Sequence, residues 1–287
     1  MTAPARTEGT PPVAMTIAGS DSGAGAGLQA DLKAMSALGV FATTVVTAVT
    51  AQNTVAVTAV HHVPTDVVDA QISAVLDDFT VAAVKTGMLA TTSTVRLVAQ
   101  RAAAGDLPSL VVDPVMVAST GRRLLDDETV EAYRLGLVPQ ALLVTPNLFE
   151  ASILAGIDPT DAADVATMIE LARRVHDLGP TWVLVKGGHL PGVHGAGSGS
   201  APEQVADVLF DGTDVHVFEG ALVVTRNNHG TGCSLASATA ALLARGAEVP
   251  DAVVGAKRFV HDALESASRW DLGRGHGPLD PFGWSGR

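Results

Sequence analysis

Apolar positions fall into short β-branched runs separated by longer stretches with helical spacing. VAMTIA (13–18) is followed by GLQADLKAMSALG, and FATTVVTAVT (41–50) by DVVDAQISAVLDD. Further runs stand at VAAVKT (81–86), LVVD (110–113), ALLVT (141–145) and TWVLVK (181–186). Runs that are apolar nearly throughout predict strands buried on both faces. Their alternation with helices predicts an α/β fold, a mostly parallel central sheet with helices on both faces. ADVLFDGTDVHVFEG (206–220) differs, because two short runs flank Asp211-Gly-Thr-Asp214. It predicts a hairpin and an antiparallel edge. No internal repeat or dividing linker is visible. The expected organisation is a disordered tail over 1–12, MTAPARTEGTPP, and a single domain over 13–287. LPGVHGAGSGSAPEQ (190–204), rich in Gly, Ser and Pro, reads as a surface loop.

In sheets of this kind ligands lie beyond the carboxyl ends of the strands. Polar residues recur there: Gly19-Ser-Asp21, Gln52-Asn53, Lys85-Thr-Gly-Met88, Asp113-Pro114, Asn147 to Glu150 and Lys186-Gly-Gly-His189. The glycine-rich run 19–27 even satisfies G-x-G-x-x-A at Gly25 to Ala30, yet no acidic residue ends the second strand as a dinucleotide fold requires. No P-loop motif is present. A turn that merely lets strand and helix pack closely is the plainer reading of the glycines.

Asp31 falls on the apolar stripe formed by Leu28, Leu32, Met35 and Leu38, so it must meet either a basic partner or a ligand, and the ligand is the preferred expectation. Lysine is scarce, with four against fourteen arginines, and two of the four end strands. A compact charge in such a place suits phosphate. Lys186, followed by two glycines, is the stronger candidate, while Lys85 equally suits a side chain that snorkels from the core. Asn147 and Glu150 at i and i+3 fit a capping box and, equally, a pair holding hydrated Mg²⁺. In HGTGCSLASA (229–238), Gly230 and Gly232 flank Thr231 before a helix whose first turn has no acid, which favours an external anion. Cys233, the one cysteine of the chain, stands in that turn. His229 and His189 lie near these loops and are assigned no catalytic role.

The balance of 30 acidic and 18 basic residues, net charge −12, argues against nucleic acid as a partner. One cysteine excludes an internal disulfide framework. No apolar run approaches the roughly 18 residues of a membrane span. The first twelve residues lack the apolar stretch of a signal peptide, so a cytoplasmic location is expected.

Taken together, TIAGSDSGAGAGLQADLKAMSALG, TAVTAQNT, VKTGML, VVDPVMVASTG, TPNLFEA, VLVKGGH, HGTGCSLASA and GHGPLDPF resemble, in order, the hydroxymethylpyrimidine/phosphomethylpyrimidine kinases of thiamin biosynthesis. These belong to the ribokinase-like superfamily, and the likeness runs from about Ala14 to Phe282. It implies a three-layer ribokinase-like fold and ATP-dependent phosphorylation of 4-amino-5-hydroxymethyl-2-methylpyrimidine, then of its monophosphate. By motif position it implies that Asp31 and Gln52 bind the aminopyrimidine, with Gly19, Met88 and Val115 lining the pocket. Lys186, Thr225, Thr231 and the Gly230–Cys233 loop, Gly232 included, would hold ATP phosphates, with Asp113, Asn147 and Glu150 supporting Mg²⁺ and its waters. It implies a homodimer. The superfamily commonly carries aspartate where Cys233 stands, read as the base toward a substrate hydroxyl. Pyridoxal kinase is the nearest enzymatic alternative, and a silent pyrimidine-binding protein the alternative of another class.

Overall fold

The computed structural model describes residues 9–116, 125–158, 164–188 and 204–286. The chain begins with β1 (Val13–Ala18), α1 (Gly27–Ala37), β2 (Phe41–Val46), β3 (Ala48–Gln52), β4 (Val57–His62) and α2 (Thr65–Asp78). It continues through β5 (Val81–Thr86), α3 (Thr92–Ala103), β6 (Leu110–Val112), α4 (Asp127–Ala132), β7 (Leu143–Val144) and α5 (Leu148–Ala155). It ends with α6 (Val165–His176), β8 (Trp182–Lys186), β9 (Gln204–Phe210), β10 (Val215–Ala221), α7 (Thr231–Ala244) and α8 (Val249–Ala267).

The eight-stranded sheet has the order β10-β9-β8-β7-β6-β5-β1-β2. Within it β2, β1, β5, β6, β7 and β8 pair in parallel, and β8–β9 and β9–β10 pair antiparallel, so the expected antiparallel edge is present. Because side chains alternate across a strand, the same runs feed two cores. Met15, Ile17, Val84, Val112, Val144, Val183 and Val185 join α2, α3, α5 and α6 on one face. Ala14, Ala83, Val111, Leu143, Leu184 and Leu209 join α1, α7 and α8 on the other. Each fully buried valine or leucine contributes roughly 1.5–3 kcal/mol, which explains the nearly unbroken apolar runs. The architecture is three-layered, as expected.

The second core decides where the site lies. Helix α7 is buried around most of its girth, with Ala236, Ala238, Ala240 and Ala241 fully enclosed. Small side chains let it lie close to the sheet between α1 and α8. Its first turn thereby comes to the carboxyl edge of β8, beside Lys186.

Two strand expectations change. The run 41–50 is not one strand, since the chain leaves the main sheet after Val46 and restarts as β3. β3 pairs antiparallel with β4, VTAVHH, for which the sequence reading had no strand. Every residue of β4 is exposed, so no buried face marked it in the sequence. The tail expectation for 1–8 and the loop expectation for 190–203 lie outside the described residues.

Candidate active site

Lys186 ends β8 and Asp113 follows β6, so both side chains emerge at the same sheet edge. They form an ion pair at 2.9 Å, with side chains 14% and 4% exposed respectively. Asn147 caps α5 as anticipated: its Oδ1 accepts the Glu150 N–H at 2.9 Å, and Glu150 Oε2 accepts the Asn147 N–H at 2.9 Å. The capping-box reading is therefore realised. Glu150 Oε1 also accepts the Met116 N–H at 3.3 Å. Burial pushes this carboxyl up to about 7, with Lys186 opposing and the neighbouring charge of Asp113 adding to the rise. Burial pulls Lys186 down, but Asp113 and Glu150 outweigh it and hold the ammonium above its ordinary value.

Gly230 is the N-cap of α7, with φ +87°, and a Cβ there would overlap the Gly25 carbonyl oxygen. Only glycine combines that left-handed backbone with so close an approach. The helix start has no side-chain cap and no acid in its first turn, so its N–H groups and partial positive charge are left for an anion. Thr231 donates its hydroxyl to Asn228 O at 2.6 Å. Lys186 Nζ lies 3.2 Å from where a Cβ on Gly232 would stand. A helix N-terminus and an ammonium thus share one point. Burial raises the Cys233 thiol to about 11, against the lowering effect of Lys85, so it is neutral at physiological pH.

Other expected residues stand in the loops that follow β1, β5, β6 and β10, with Gln52 at the end of β3. Gly19 N–H donates to Met88 O at 3.1 Å, and Val115 N–H to Asp113 O at 2.9 Å. Gln52 is half-buried at the end of β3, its backbone N–H bonded to Ser22 Oγ at 2.7 Å. Thr225 Oγ accepts the Asn227 N–H at 3.0 Å. Thr225, Asn147, Lys186, Thr231 and Gly232 line one cavity of about 970 Å³. Leu222, Val223, Val260 and Leu264 supply its apolar wall. Another cavity, about 670 Å³ between α4 and α5, contains none of these residues.

Asp31 requires correction. It is fully buried and forms an ion pair at 2.9 Å with Lys85, itself fully buried. Thr16 donates to its Oδ2 at 2.6 Å and Ser237 to its Oδ1. The carboxylate is satisfied inside the protein and offers no edge to a ligand. Lys85 neither snorkels nor meets a phosphate. Burial is the largest single influence and opposes its charge, but Asp31 together with Cys233 and Asp113 more than offsets it, so it stays an ammonium.

Sequence reasoning passed over other groups. Lys257 of α8 lines the larger cavity and pairs with Asp207 of β9, whose Oδ1 accepts the Gly187 N–H at 2.8 Å. An aspartate inside an apolar strand was the available signal. His229, noted beside the glycine loop but given no role, reaches Asp21 and Gln52. His189 is outside the described residues.

The model of the family described as phosphomethylpyrimidine kinase matches residues 21–280. The chain is 46% identical over 274 residues to the hydroxymethylpyrimidine/phosphomethylpyrimidine kinase of Mycobacterium tuberculosis, covering 95% of this chain and 94% of that one. It is 45% identical over 272 residues to the chloroplastic thiamine biosynthetic bifunctional enzyme of Arabidopsis thaliana, and there 94% of this chain spans 50% of the relative. Among solved structures, the ADP complex of Bacillus subtilis pyridoxal kinase superposes with a TM-score of 0.82 at 36% identity, covering 94% of this chain and 97% of that one.

Proposed function

This chain belongs to the phosphomethylpyrimidine kinase family, and from that premise we propose that it transfers phosphoryl groups from ATP to 4-amino-5-hydroxymethyl-2-methylpyrimidine and then to the resulting monophosphate, in thiamin biosynthesis. The observation that carries the reading is the meeting of Lys186 with the uncapped, acid-free start of α7 at the end of a cavity with one apolar wall. Phosphates sit at the helix start and on Lys186, and the adenine against Leu222, Val223, Val260 and Leu264. Thr225 and Thr231 flank the phosphate path. Gly19, Gln52, Met88 and Val115 form the pyrimidine side.

Asp113, Glu150 and Asn147 offer two carboxylates and an amide. Among the described residues no group of three or more His, Cys, Asp or Glu stands together, so an all-protein metal cage is absent there. That set suits Mg²⁺, which keeps several waters and takes phosphate oxygens as ligands. Burial is the chief cause of the Glu150 rise, with Asp113 adding to it and Lys186 opposing it, and a cation beside these carboxylates would favour the ionised form. The ion would supply charge neutralisation for the phosphates.

Phosphoryl transfer has a loose transition state in which positioning and electrostatics dominate. In the first step the hydroxyl oxygen bonds to the γ-phosphorus, the bond to the β-phosphate oxygen breaks, and the hydroxyl proton is released. Lys186 and the α7 N–H groups stabilise the charge on the transferred group. In the second step the nucleophile is a phosphate oxygen, already ionised because its second pKa is about 6. The neutral Cys233 thiol leaves the helix start free of a fixed negative charge that would repel this dianion. One site thereby serves both substrates.

The hairpin exposes Val49, Val55, Val57 and Val60, apolar surface suited to a second copy of the chain, and a homodimer is the assembly we assign. No helix of the described residues is long and apolar enough to cross a membrane, and with one cysteine a cytoplasmic location fits. We read 13–287 as one kinase domain.

The decisive assay is ATP turnover with the pyrimidine alcohol, its monophosphate and pyridoxal side by side. Pyridoxal is the second reading, favoured by the likeness to the Bacillus subtilis pyridoxal kinase. Turnover of pyridoxal alone would overturn the pyrimidine assignment, and binding without turnover would favour a silent binding protein.

A further inference from the structure

His229 stands one residue before the left-handed glycine that opens the anion hole, and its ring leaves that loop for the opposite one. The ring is 13% exposed, with Nε2 2.9 Å from Asp21 Oδ2. It packs so tightly on Gly25 that a Cβ there would stand 2.6 Å from Cδ2. Its backbone N–H donates to Gly277 O at 3.0 Å, which fixes the ring from behind. Asp21 also accepts the N–H groups of Gly23 at 2.8 Å, Gly25 at 3.1 Å and Ala26 at 2.9 Å. Although desolvation opposes it, these bonds and His229 together hold the Asp21 carboxyl below its ordinary value. Asp21 is therefore an ionised acceptor.

An ionised carboxylate has no proton to give, so the proton in the Asp21–His229 contact resides on Nε2 whether the ring is neutral or charged. The same His229 Nε2 lies 3.4 Å from Gln52 Nε2, the one polar contact that side-chain amide makes among the described residues. An amide has an oxygen edge and an NH₂ edge, and the choice between them follows from the surrounding hydrogen bonds. Against an N–H only the oxygen edge is attractive, so the two ends of the amide exchange places and its oxygen shares, as a second acceptor, the one Nε2 proton that Asp21 also accepts.

We propose that the Asp21–His229 pair is a positioning device for Gln52: Asp21 keeps the proton on His229 Nε2, the N–H edge holds the Gln52 oxygen, and the Gln52 NH₂ is presented to an acceptor nitrogen of the substrate's heterocycle. His229 is a positioning residue, acting through Gln52. The inference rests on the reading that Gln52 faces the pyrimidine. It gives the substrate loop and the anion-hole loop a shared part, since the residue that orients Gln52 adjoins Gly230.

Two measurements on the full chain test it. In a nitrogen–proton correlation spectrum of the imidazoles, His229 should carry its proton on Nε2, and Asp21→Asn should weaken that preference. A ring protonated on Nδ1 alone overturns the proposal whatever the substrate. In calorimetry with the pyrimidine alcohol, His229→Ala should weaken binding roughly tenfold in the wild-type background and have little effect in a Gln52→Ala background. His229→Asn, which keeps an N–H donor, should recover part of the loss, and the KM for ATP should hardly move. Equal losses in both backgrounds overturn the positioning role while leaving the pyrimidine reading intact. Failure of the wild-type chain to bind the alcohol overturns that reading and this inference with it.

Discussion

The molecule contains two lysine–aspartate pairs with the same 2.9 Å separation and different roles. Lys85 and Asp31 are both 0% exposed, and the carboxylate is further satisfied by Thr16 and Ser237. Lys186 and Asp113 are 14% and 4% exposed, and Lys186 faces the open start of α7. Both lysines end β-strands, and both remain charged because the neighbouring acidic groups together outweigh the cost of burial. What separates them is access. The sealed pair neighbours Cys233, whereas Lys186 lines the larger cavity, where we place the phosphates. A buried charge pair is thus a mark of function only when one partner still has an unmet direction.

Breaking the sealed pair should have the largest effect. Lys85→Met leaves the Asp31 carboxylate unpaired in the core and should cost about 3–5 kcal/mol of stability in urea unfolding, with Asp31→Leu added to it recovering much of the loss. A loss below 1 kcal/mol would mean that water reaches the pair. Lys186→Ala should cost less stability, because its pair borders the open cavity, and should lower kcat by about 10²–10³ with little change in pyrimidine affinity. Unchanged turnover would remove Lys186 from phosphoryl transfer and make the two pairs alike.

A smaller effect is expected at Cys233, which adjoins both pairs. Cys233→Asp places a fixed negative charge at the helix start and should lower phosphorylation of the monophosphate more than that of the alcohol. Equal losses, or a selective loss of the first step, would count against a site shared by way of a neutral thiol. The smallest effect concerns pH. The Glu150 carboxyl is raised from 4.5 to about 7, so the folded state binds its proton more tightly than the unfolded chain does. Its contribution to stability is fully present below about 4.5 and declines as pH rises toward 7. Thermal melts without nucleotide should show Glu150→Gln gaining on the wild type across that window. A constant difference would mean that Glu150 is already neutralised by Lys186.

The same contrast shows how far the site was legible. The strand-end positions of Lys186, Asp113, Asn147 and Glu150 followed from apolar runs that stop at polar residues, and the structure brings these residues together. Asp31 was visible as a carboxylate on an apolar helix face, but its partner was not, because Lys85 is 54 residues away and only the packing of α1 on β5 introduces them. His229 was equally invisible, being 208 residues from Asp21. β4 escaped for a different reason, since an exposed hairpin strand leaves no alternation to read.

By itself, the sequence determined which segments enter the main sheet, that helices cover both its faces, that the edge turns back at Asp211–Asp214, and that a glycine-framed helix starts without an acid in its first turn. Those are local properties, written in periodicity, turn residues and the missing acid of one first turn. The tertiary structure alone decided which lysine is sealed and which is open, that Asp31 is an internal counter-ion, and that His229 links two loops from opposite ends of the chain. The physical reason is that desolvation and pairing depend on what surrounds a group in space, and residues far apart in the chain become surroundings only when the layers pack.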